Sequence, residues 1–337
     1  MSLSKFLSPT NDVAFRKIFG SEEHRNIVIH FINDVLELQG DNQIVDLEFL
    51  PPNQQPDIAA KKESIVDVLC RAHNGVQIIV EMQAAPQDGF AKRAQYYAAK
   101  AYAGQLNKGQ EEDEEYHNLK EIIFIAISKS TLFRGNKGYK SDHIILNKNS
   151  HTHDLKDFSF TFIELSKFKK KKISDLNTIL EKWCYFFKYA AITTEDEVKQ
   201  VSGNDLVIEQ AYTALNKFNW TEHELLAYEA EVKRRRDLKA TLRHQYKQGH
   251  AEGKAEGIAE GKAEGKAEGI AEGKAEGIAE GIARGKAEGK AEGIAEGKAE
   301  GIAEGALNLL RQNHPIELIA VATGLSHKQI TKLQNQL

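Results

Sequence analysis

The chain is poor in several features that define common protein classes. Its 337 residues include only two cysteines, Cys70 and Cys184, which are too few and too scattered for a disulfide framework or a cysteine zinc site. No stretch approaches the run of about eighteen apolar residues that spans a membrane, and the N-terminal sequence MSLSKFLSPTND lacks the apolar core of a secretory signal. We therefore expect a cytoplasmic protein that does not bind a membrane.

An excess of positive charge is also missing. The formal net charge is −4, but residues 251–304 carry thirteen Glu against seven Lys and one Arg, so the rest of the chain is close to neutral. Any contact with nucleic acid must then come from local clusters of basic residues. Glycine-rich phosphate loops, serine nucleophile elbows and paired-histidine metal motifs are absent as well, which argues against those chemistries.

The sequence instead centres on residues 64–83, SIVDVLCRAHNGVQIIVEMQ, which predict a β-hairpin around Asn74-Gly75. A two-residue loop would turn Glu81 toward the apolar core, which we consider unfavourable. A three-residue loop from His73 to Gly75, with Gly75 left-handed, leaves one face wholly apolar. That face would contain Val66, Val68, Cys70, Ala72, Val76, Ile78, Val80 and Met82.

The opposite face of this hairpin contains the candidate catalytic residues. The three-residue loop places Asp67 directly across from Glu81, and Gln83 follows on the same strand. Two carboxylates at cross-strand distance repel each other unless a cation or a shared proton lies between them. A hard divalent metal ion with oxygen ligands is the natural occupant, and Asp57 in the preceding loop is a rival ligand.

Three ordered motifs resemble those of a known family. Asp67 and, fourteen positions later, Glu81-x-Gln83 resemble the metal-binding core of PD-(D/E)XK nucleases, with Gln where Lys is usual. The segments SPTNDVAFRKIFG (8–20) and KRAQYY (92–97) resemble the opening motif and the post-hairpin helix of the Rpn family. Members of that family are described as recombination-promoting nucleases or putative transposases. The resemblance covers roughly the first half of the chain.

The resemblance implies a Mg²⁺-dependent DNA endonuclease of recombination-promoting or transposase-like type. Asp67 and Glu81 would hold Mg²⁺, or Mn²⁺ in its place, and the metal would lower the pKa of its water and neutralise charge on the phosphate. Gln83 would orient the water but carries no charge, so we expect Lys17 or Lys92 to supply one. The alternative is a catalytically weak nuclease-fold protein that serves as a DNA-binding or assembly module.

Basic and aromatic residues after the hairpin are candidates for a DNA contact. Lys92, Tyr96 and Lys100 recur at four-residue spacing on a predicted helix, with Arg93 one step around, and Lys17 lies in the opening motif. Such a stripe suits a phosphate backbone. A solvated helix face with its tyrosines against the sheet is the alternative. Asp12 is expected either to cap the first helix or to act as an outer metal ligand, and capping is favoured.

The periodicity predicts an α/β (α+β) fold in which a mixed central sheet is flanked by helices. We expect helices over 22–38, 87–106, 175–189, 206–218 and from Glu222 to about Tyr246. Strands are expected over 43–50, 121–128, 143–146 and 158–165. The apolar run EIIFIAIS (121–128) belongs at the sheet centre. The domains would be a PD-(D/E)XK-like nuclease core (1–170), a helical appendage (171–248), a repeat spacer (249–305) and a helical hairpin (306–337).

The spacer is built from a tetrapeptide repeat. Glycine occurs at every fourth position from Gly249 to Gly305, and the block 258–281 recurs as 282–305 with one difference, Glu260 against Arg284. Alanine, Glu and Lys favour helix, whereas each glycine costs about 0.8–1 kcal/mol relative to alanine. We expect a partly helical, fluctuating segment that supports weak homo-oligomerisation. In the hairpin that follows, Pro315 and Ser326 should begin two short helices.

Overall fold

A computed structural model describes residues 5–54, 64–106 and 116–337. Asp57, the rival ligand, lies outside the described residues. The chain divides into two compact units, Met1–Ala240 and Thr241–Leu337. The first contains every strand found in the described residues, including the hairpin that carries Asp67 and Glu81.

The first unit is organised around a six-stranded mixed sheet in the order β1-β4-β5-β6-β8-β7. Its strands are β1 (Leu47–Phe49), β4 (Val68–Ala72), β5 (Gln77–Gln83), β6 (Ile122–Ser128), β7 (Lys140–Ile144) and β8 (Phe158–Glu164), and β2 (Asn53–Gln54) pairs separately with β3 (Ser64–Ile65). Strand β6 runs parallel to both of its neighbours. The EIIFIAIS segment therefore lies at the sheet centre, as predicted.

The β4–β5 hairpin has the predicted register. Val68 pairs with Val80, and Cys70 pairs with Ile78. The same register places Ala72 opposite Val76, so three residues form the loop. The Ala72 N–H donates to the Val76 carbonyl at 2.8 Å, and Gly75 has φ +87°. A side chain at this left-handed position would be strained, so glycine suits the third residue of the three-residue turn.

One residue of the predicted apolar face lies elsewhere. Val66 is buried in the cluster on the opposite side of the sheet, with Leu69 and Ile79. The chain bends at Asp67, where β3 has ended and β4 has not begun. The Asp67 carboxylate, rather than a ladder carbonyl, accepts the Met82 N–H, so strand alternation does not extend to Val66.

The sheet separates two apolar layers. On one side, Ile78, Val80 and Met82 pack with an aromatic group from the surrounding helices, which comprises Phe15, Phe19, Phe31, Trp183 and Phe187. On the other side, Ile79 and Phe124 pack against the helix that connects β5 to β6. Glu81 and Gln83 extend from the same side of β5 as Ile79, so their surroundings are set by that connecting helix.

Nine α-helices are present in the described residues. They are α1 (Asp12–Phe19), α2 (Arg25–Leu36), α3 (Phe90–Ala103), α4 (Ile179–Tyr189), α5 (Glu195–Ser202), α6 (Leu206–Ala214), α7 (Glu222–Arg311), α8 (Ile316–Thr323) and α9 (His327–Gln334). Short 3₁₀ turns occupy Glu22–His24, Gly40–Asn42, Tyr116–Asn118, Ile173–Asp175, Ala190–Ile192 and Lys217–Asn219. The mixed sheet and its flanking helices confirm the predicted fold class.

Several predicted elements are shorter in the structure. The strand expected over 43–50 is reduced to β1, because the Asn33 side chain bonds both the N–H and the carbonyl of Ile44 and takes them out of any ladder. The helix expected over 175–189 begins only at Ile179, where Thr178 and Glu181 form a capping box.

The helix expected from Glu222 to about Tyr246 continues as α7 through all of residues 249–305. That the repeat is only partly helical in solution stays a prediction. Each helical residue satisfies its backbone groups internally, and Ala, Glu and Lys offset part of the glycine penalty. Five of the six isoleucines of the repeat are exposed, including Ile258 at 50% and Ile282 at 65%, and Ile302 is half-buried. Nothing in the described second unit covers the five exposed ones.

The C-terminal hairpin follows the prediction closely. Pro315 precedes α8, Gly324 ends it with φ +75°, and Ser326 caps α9 through a capping box with Gln329. Ala306, Leu310, Ile319 and Ile330 form a small buried cluster. Within the described ranges, no helix is both long enough and apolar enough to cross a membrane.

Candidate active site

The carboxylates of Asp67 and Glu81 each accept a hydrogen bond from a main-chain N–H on the other side of the hairpin. The Asp67 N–H donates to Glu81 Oε2 at 3.0 Å, and the Met82 N–H donates to Asp67 Oδ2 at 2.9 Å. The hairpin supplies both amides, so its register fixes the two carboxylates on one side of the sheet. This is the juxtaposition that the three-residue loop predicts.

Each carboxylate also meets an arginine from a neighbouring helix. Arg16 on α1 donates to Asp67 Oδ1 from Nε at 3.2 Å and from Nη2 at 3.0 Å. Arg93 on α3 approaches Glu81 Oε1 with Nη2 at 3.4 Å. The contact of Arg16 is short and doubled, whereas that of Arg93 with Glu81 is long, so Asp67 is the more fully neutralised of the two acids.

Glu81 is the electrostatically perturbed member of the pair. It is 6% exposed, and burial raises its pKa to about 8, with the neighbouring Asp67 charge acting in the same direction. The hydrogen bond from Asp67 N–H and the charge of Arg93 oppose this shift but do not cancel it. A buried acid beside a second acid is stabilised in its ionised form by an added cation.

Gln83 completes the row on β5, but its amide is already engaged. Its Oε1 accepts a hydrogen bond from Arg93 Nη2 at 2.6 Å, and its Nε2 donates to the Ala85 carbonyl. Arg93 therefore contacts Gln83 and Glu81 with the same nitrogen. The guanidinium lies over the Phe90 ring at 4.9 Å and the Tyr97 ring at 5.7 Å, and Nη1 donates to Gln87.

The start of α7 brings two more arginines to the same cleft. Arg235 forms an ion pair with Asp12, donates to the Thr10 carbonyl at 3.0 Å, and contacts Glu231 at 2.5 Å. Arg234 lies 3.8 Å from Asp12. Burial raises the pKa of Asp12, and Arg235 counteracts part of that effect.

The expectation that Asp12 caps α1 is wrong. Asn11 is the N-cap, and its Oδ1 accepts the N–H groups of Val13 at 2.9 Å and Ala14 at 3.3 Å. Asp12 is already the first helical residue, so its side chain projects from the helix and pairs with Arg235.

These groups line one open cleft of about 500 Å³. Its acidic members are Asp12, Asp67 and Glu81, its basic members are Arg16, Arg93, Arg234 and Arg235, and the loop 84–87 and Tyr97 complete its wall. Within the described ranges, no three His, Cys, Asp or Glu side chains are grouped closely enough to enclose a metal ion. Any metal here would rely on Asp67 and Glu81 and draw its other ligands from water and substrate.

The remaining predicted residues do not converge on the carboxylates. Lys17 forms an ion pair with Glu224 and lies 5.2 Å from the Trp220 ring, in a different cavity from Asp67. Lys92 and Tyr96 are exposed on α3, with Tyr96 at 51%, and Lys100 is half-buried on the same helix. The positively charged side chains that contact the two carboxylates are those of Arg16 and Arg93, not those of Lys17 or Lys92.

Sequence reasoning overlooked two contributors to the cleft. Arg16 precedes Lys17 in the opening motif, and adjacent helical positions differ by about 100°, so the choice between them required knowing which side of α1 faces the hairpin. Arg235 meets Asp12 across 223 positions of sequence. Arg235 belongs to the basic run Lys233-Arg234-Arg235-Arg236, and Glu231 four residues earlier indicates a stable pair on the helix, but neither signal locates Asp12.

The fold and cleft define a nuclease-like α/β protein with a carboxylate pair on a central hairpin. A family model described as PD-(D/E)XK nuclease family transposase matches residues 9–245. The chain belongs to this family, which confirms the resemblance noted from the three motifs. Comparisons with curated proteins and with solved structures give no match.

Proposed function

We propose that this protein is a Mg²⁺-dependent DNA endonuclease whose reaction centre is the Asp67–Glu81 pair. One observation carries the proposal. Both acids accept hydrogen bonds from main-chain amides, and Glu81 is buried in a cleft lined by arginines. Membership of a nuclease family supports the same chemistry.

The donor set fits a hard divalent cation. Mg²⁺ typically takes one or two protein carboxylates and completes its six oxygen ligands with water and substrate phosphate, so two acids are sufficient. Asp67 and Glu81 would hold the ion. When bound, it would lower the pKa of a water molecule and offset negative charge on the phosphate.

The residues around the pair have separable roles. The reciprocal amide contacts orient the carboxylates before any ligand arrives, which limits the reorganisation required on binding. Arg16 keeps Asp67 compensated in the metal-free protein. Arg234 and Arg235 line the same cleft, where their guanidinium N–H groups would donate to the phosphate backbone of DNA.

The strands of DNA would extend beyond the cleft. We assign Lys92, Tyr96 and Lys100 to this outer contact because they lie on α3, the helix that also carries Arg93. The repeat of α7 presents no buried acidic pair, so we assign it to assembly or targeting rather than to chemistry.

A plasmid-cleavage assay tests the proposal. Supercoiled plasmid should be nicked or linearised by the wild-type protein with Mg²⁺ or Mn²⁺ and should stay intact with EDTA. Asp67→Asn and Glu81→Gln should each reduce the rate by at least about 100-fold, because each removes a ligand charge at nearly constant shape. Glu48→Gln, on the neighbouring strand β1, is the matched control and should cleave like wild type.

One observation favours a second function, that of a catalytically weak DNA-binding or assembly module. Asp67 and Glu81 already have arginine and amide partners that satisfy them without a metal. For this function, Mg²⁺ would leave the thermal stability of the wild-type protein unchanged, and DNA binding would persist in Asp67→Asn without cleavage by either protein.

A further inference from the structure

Strand β5 lacks a positive charge where the reaction needs one. Hydrolysis of a phosphodiester adds negative charge to the phosphate in the transition state, and preorganised cations at that point accelerate it. The next residue after Glu81 on the same face of β5 is Gln83, whose amide is neutral. A charge must therefore reach this position from another element.

Arg93 is the guanidinium that occupies it. Its Nη2 lies 2.6 Å from Gln83 Oε1 and 3.4 Å from Glu81 Oε1, so the charge stands between the end of β5 and the buried acid. Arg16, by comparison, directs both Nε and Nη2 to a single oxygen of Asp67. Arg16 is engaged in neutralising an acid, whereas the long contact of Arg93 with Glu81 leaves an N–H that a phosphate oxygen can take over.

The surroundings of Arg93 hold it in this orientation. The Phe90 and Tyr97 rings flank the guanidinium, and Gln87 accepts from Nη1. Its Nε is buried and has no hydrogen-bond partner in the part of the chain that the structure describes. An unpaired buried N–H costs about 1–3 kcal/mol, and such unsatisfied groups concentrate where function requires them.

We infer that Arg93 is a catalytic residue that binds the scissile phosphate and stabilises its developing charge, and that Gln83 positions it. This inference rests on the proposed function. It also explains why an amide suits position 83, since its carbonyl oxygen accepts from the guanidinium. A lysine there would place two cations in contact, which is unfavourable unless one of them is removed.

The arrangement predicts that the charge can be exchanged between the two positions. Arg93→Gln should lower kcat on the order of 100-fold with a much smaller change in KM, because the contact strengthens in the transition state. Gln83→Lys alone should also lower kcat, since the new ammonium repels Arg93. The double variant Arg93→Gln/Gln83→Lys should recover at least about tenfold over Arg93→Gln, because one cation is again beside one amide.

The experiment measures Mg²⁺-dependent plasmid cleavage by the full chain for wild type, both single variants and the double variant. Arg71→Gln is the matched control. It makes the same arginine-to-glutamine change on the hairpin that carries Gln83, but Arg71 pairs with Gln77 at the far end of that hairpin and contacts Glu48, so the activity of this variant should equal that of wild type. Tryptophan fluorescence verifies folding, and the thermal shift produced by Mg²⁺ verifies that the carboxylate pair still binds metal.

The outcomes separate this inference from the function on which it rests. A wild-type protein that does not cleave DNA refutes both. An active wild type with an equally active Arg93→Gln refutes the role of Arg93 alone. A folded, metal-binding double variant that remains as slow as Arg93→Gln refutes the charge exchange and assigns Arg93 a purely structural part. Recovery in the double variant supports the inference, since loss of packing at Arg93 would not be repaired by a lysine on β5.

Discussion

Replacing Glu81 by glutamine should stabilise the metal-free protein at alkaline pH. The substitution preserves the side-chain shape and an oxygen that can accept the Asp67 N–H, but it removes a negative charge that burial and Asp67 both disfavour. In EDTA, where no cation compensates the pair, wild type must ionise Glu81 as the pH rises. The glutamine variant has nothing to ionise at this position.

The size and the sign follow from the pKa of Glu81. A shift from 4.5 to about 8 sets an upper limit of about 5 kcal/mol on the free energy by which its ionisation opposes folding. The pKa of Glu81 is higher in the folded state than in the unfolded state. The stability that protonated Glu81 gives wild type is therefore fully present below pH 4.5 and is lost as the pH rises through 8. Of this limit, about 4 kcal/mol falls between pH 5 and pH 9, so we expect the variant to gain up to about 4 kcal/mol over wild type in that interval, or roughly 8–16 °C in Tm for a unit of this size.

The assay is thermal unfolding followed by tryptophan fluorescence. Both tryptophans, Trp183 and Trp220, are buried in the first unit, so the signal does not report on the second. Glu48→Gln, an exposed carboxylate on β1, is the control, and its difference from wild type should stay constant with pH. A Glu81→Gln advantage that fails to grow between pH 5 and pH 9 would refute our account of the buried pair.

Three further predictions concern the neighbours of the site and the tail. Arg16→Gln should raise the affinity for Mg²⁺ several-fold in calorimetric titration, because a competing cation leaves Asp67; weaker binding would contradict this. Gly75→Ala should lower the free energy of unfolding by about 1–2 kcal/mol in urea, since alanine is strained at φ +87° and would approach the Lys120 side chain at 3.1 Å; an unchanged midpoint would count against the turn. Truncation after Gln248 should keep the intrinsic cleavage rate at saturating DNA but reduce self-association in light scattering, and a collapse of the rate would show that the repeat takes part in chemistry.

The parts of the fold that sequence reasoning predicted correctly are those determined by local chemistry. The register of the β4–β5 hairpin follows from the alternation of Val68, Cys70, Ile78 and Val80, with Gly75 supplying the left-handed residue of the turn. The C-terminal helices follow from Pro315, Gly324 and Ser326 in the same way. In each case, the residues that decide the structure lie within a few positions of one another.

The remaining features depend on contacts between distant segments. Asn33 shortens the strand predicted over 43–50 by bonding Ile44, and Arg235 engages Asp12 from the start of α7. Neither partner is marked in the sequence, because an asparagine or an arginine has many surface partners available. The sequence also does not predict that Arg93 rather than Lys17 contacts the carboxylates, since this depends on which faces of α1 and α3 meet the hairpin.

The central claim is that Asp67 and Glu81 together hold the divalent ion that acts on DNA. The most direct measurement is a crystal structure of the protein soaked with Mn²⁺, with data collected at the manganese absorption edge. The account predicts one anomalous peak within direct coordination distance of both carboxylates, which disappears in Asp67→Asn. Crystals of the wild type that show no peak there at saturating Mn²⁺, or a peak held by other side chains, would contradict it.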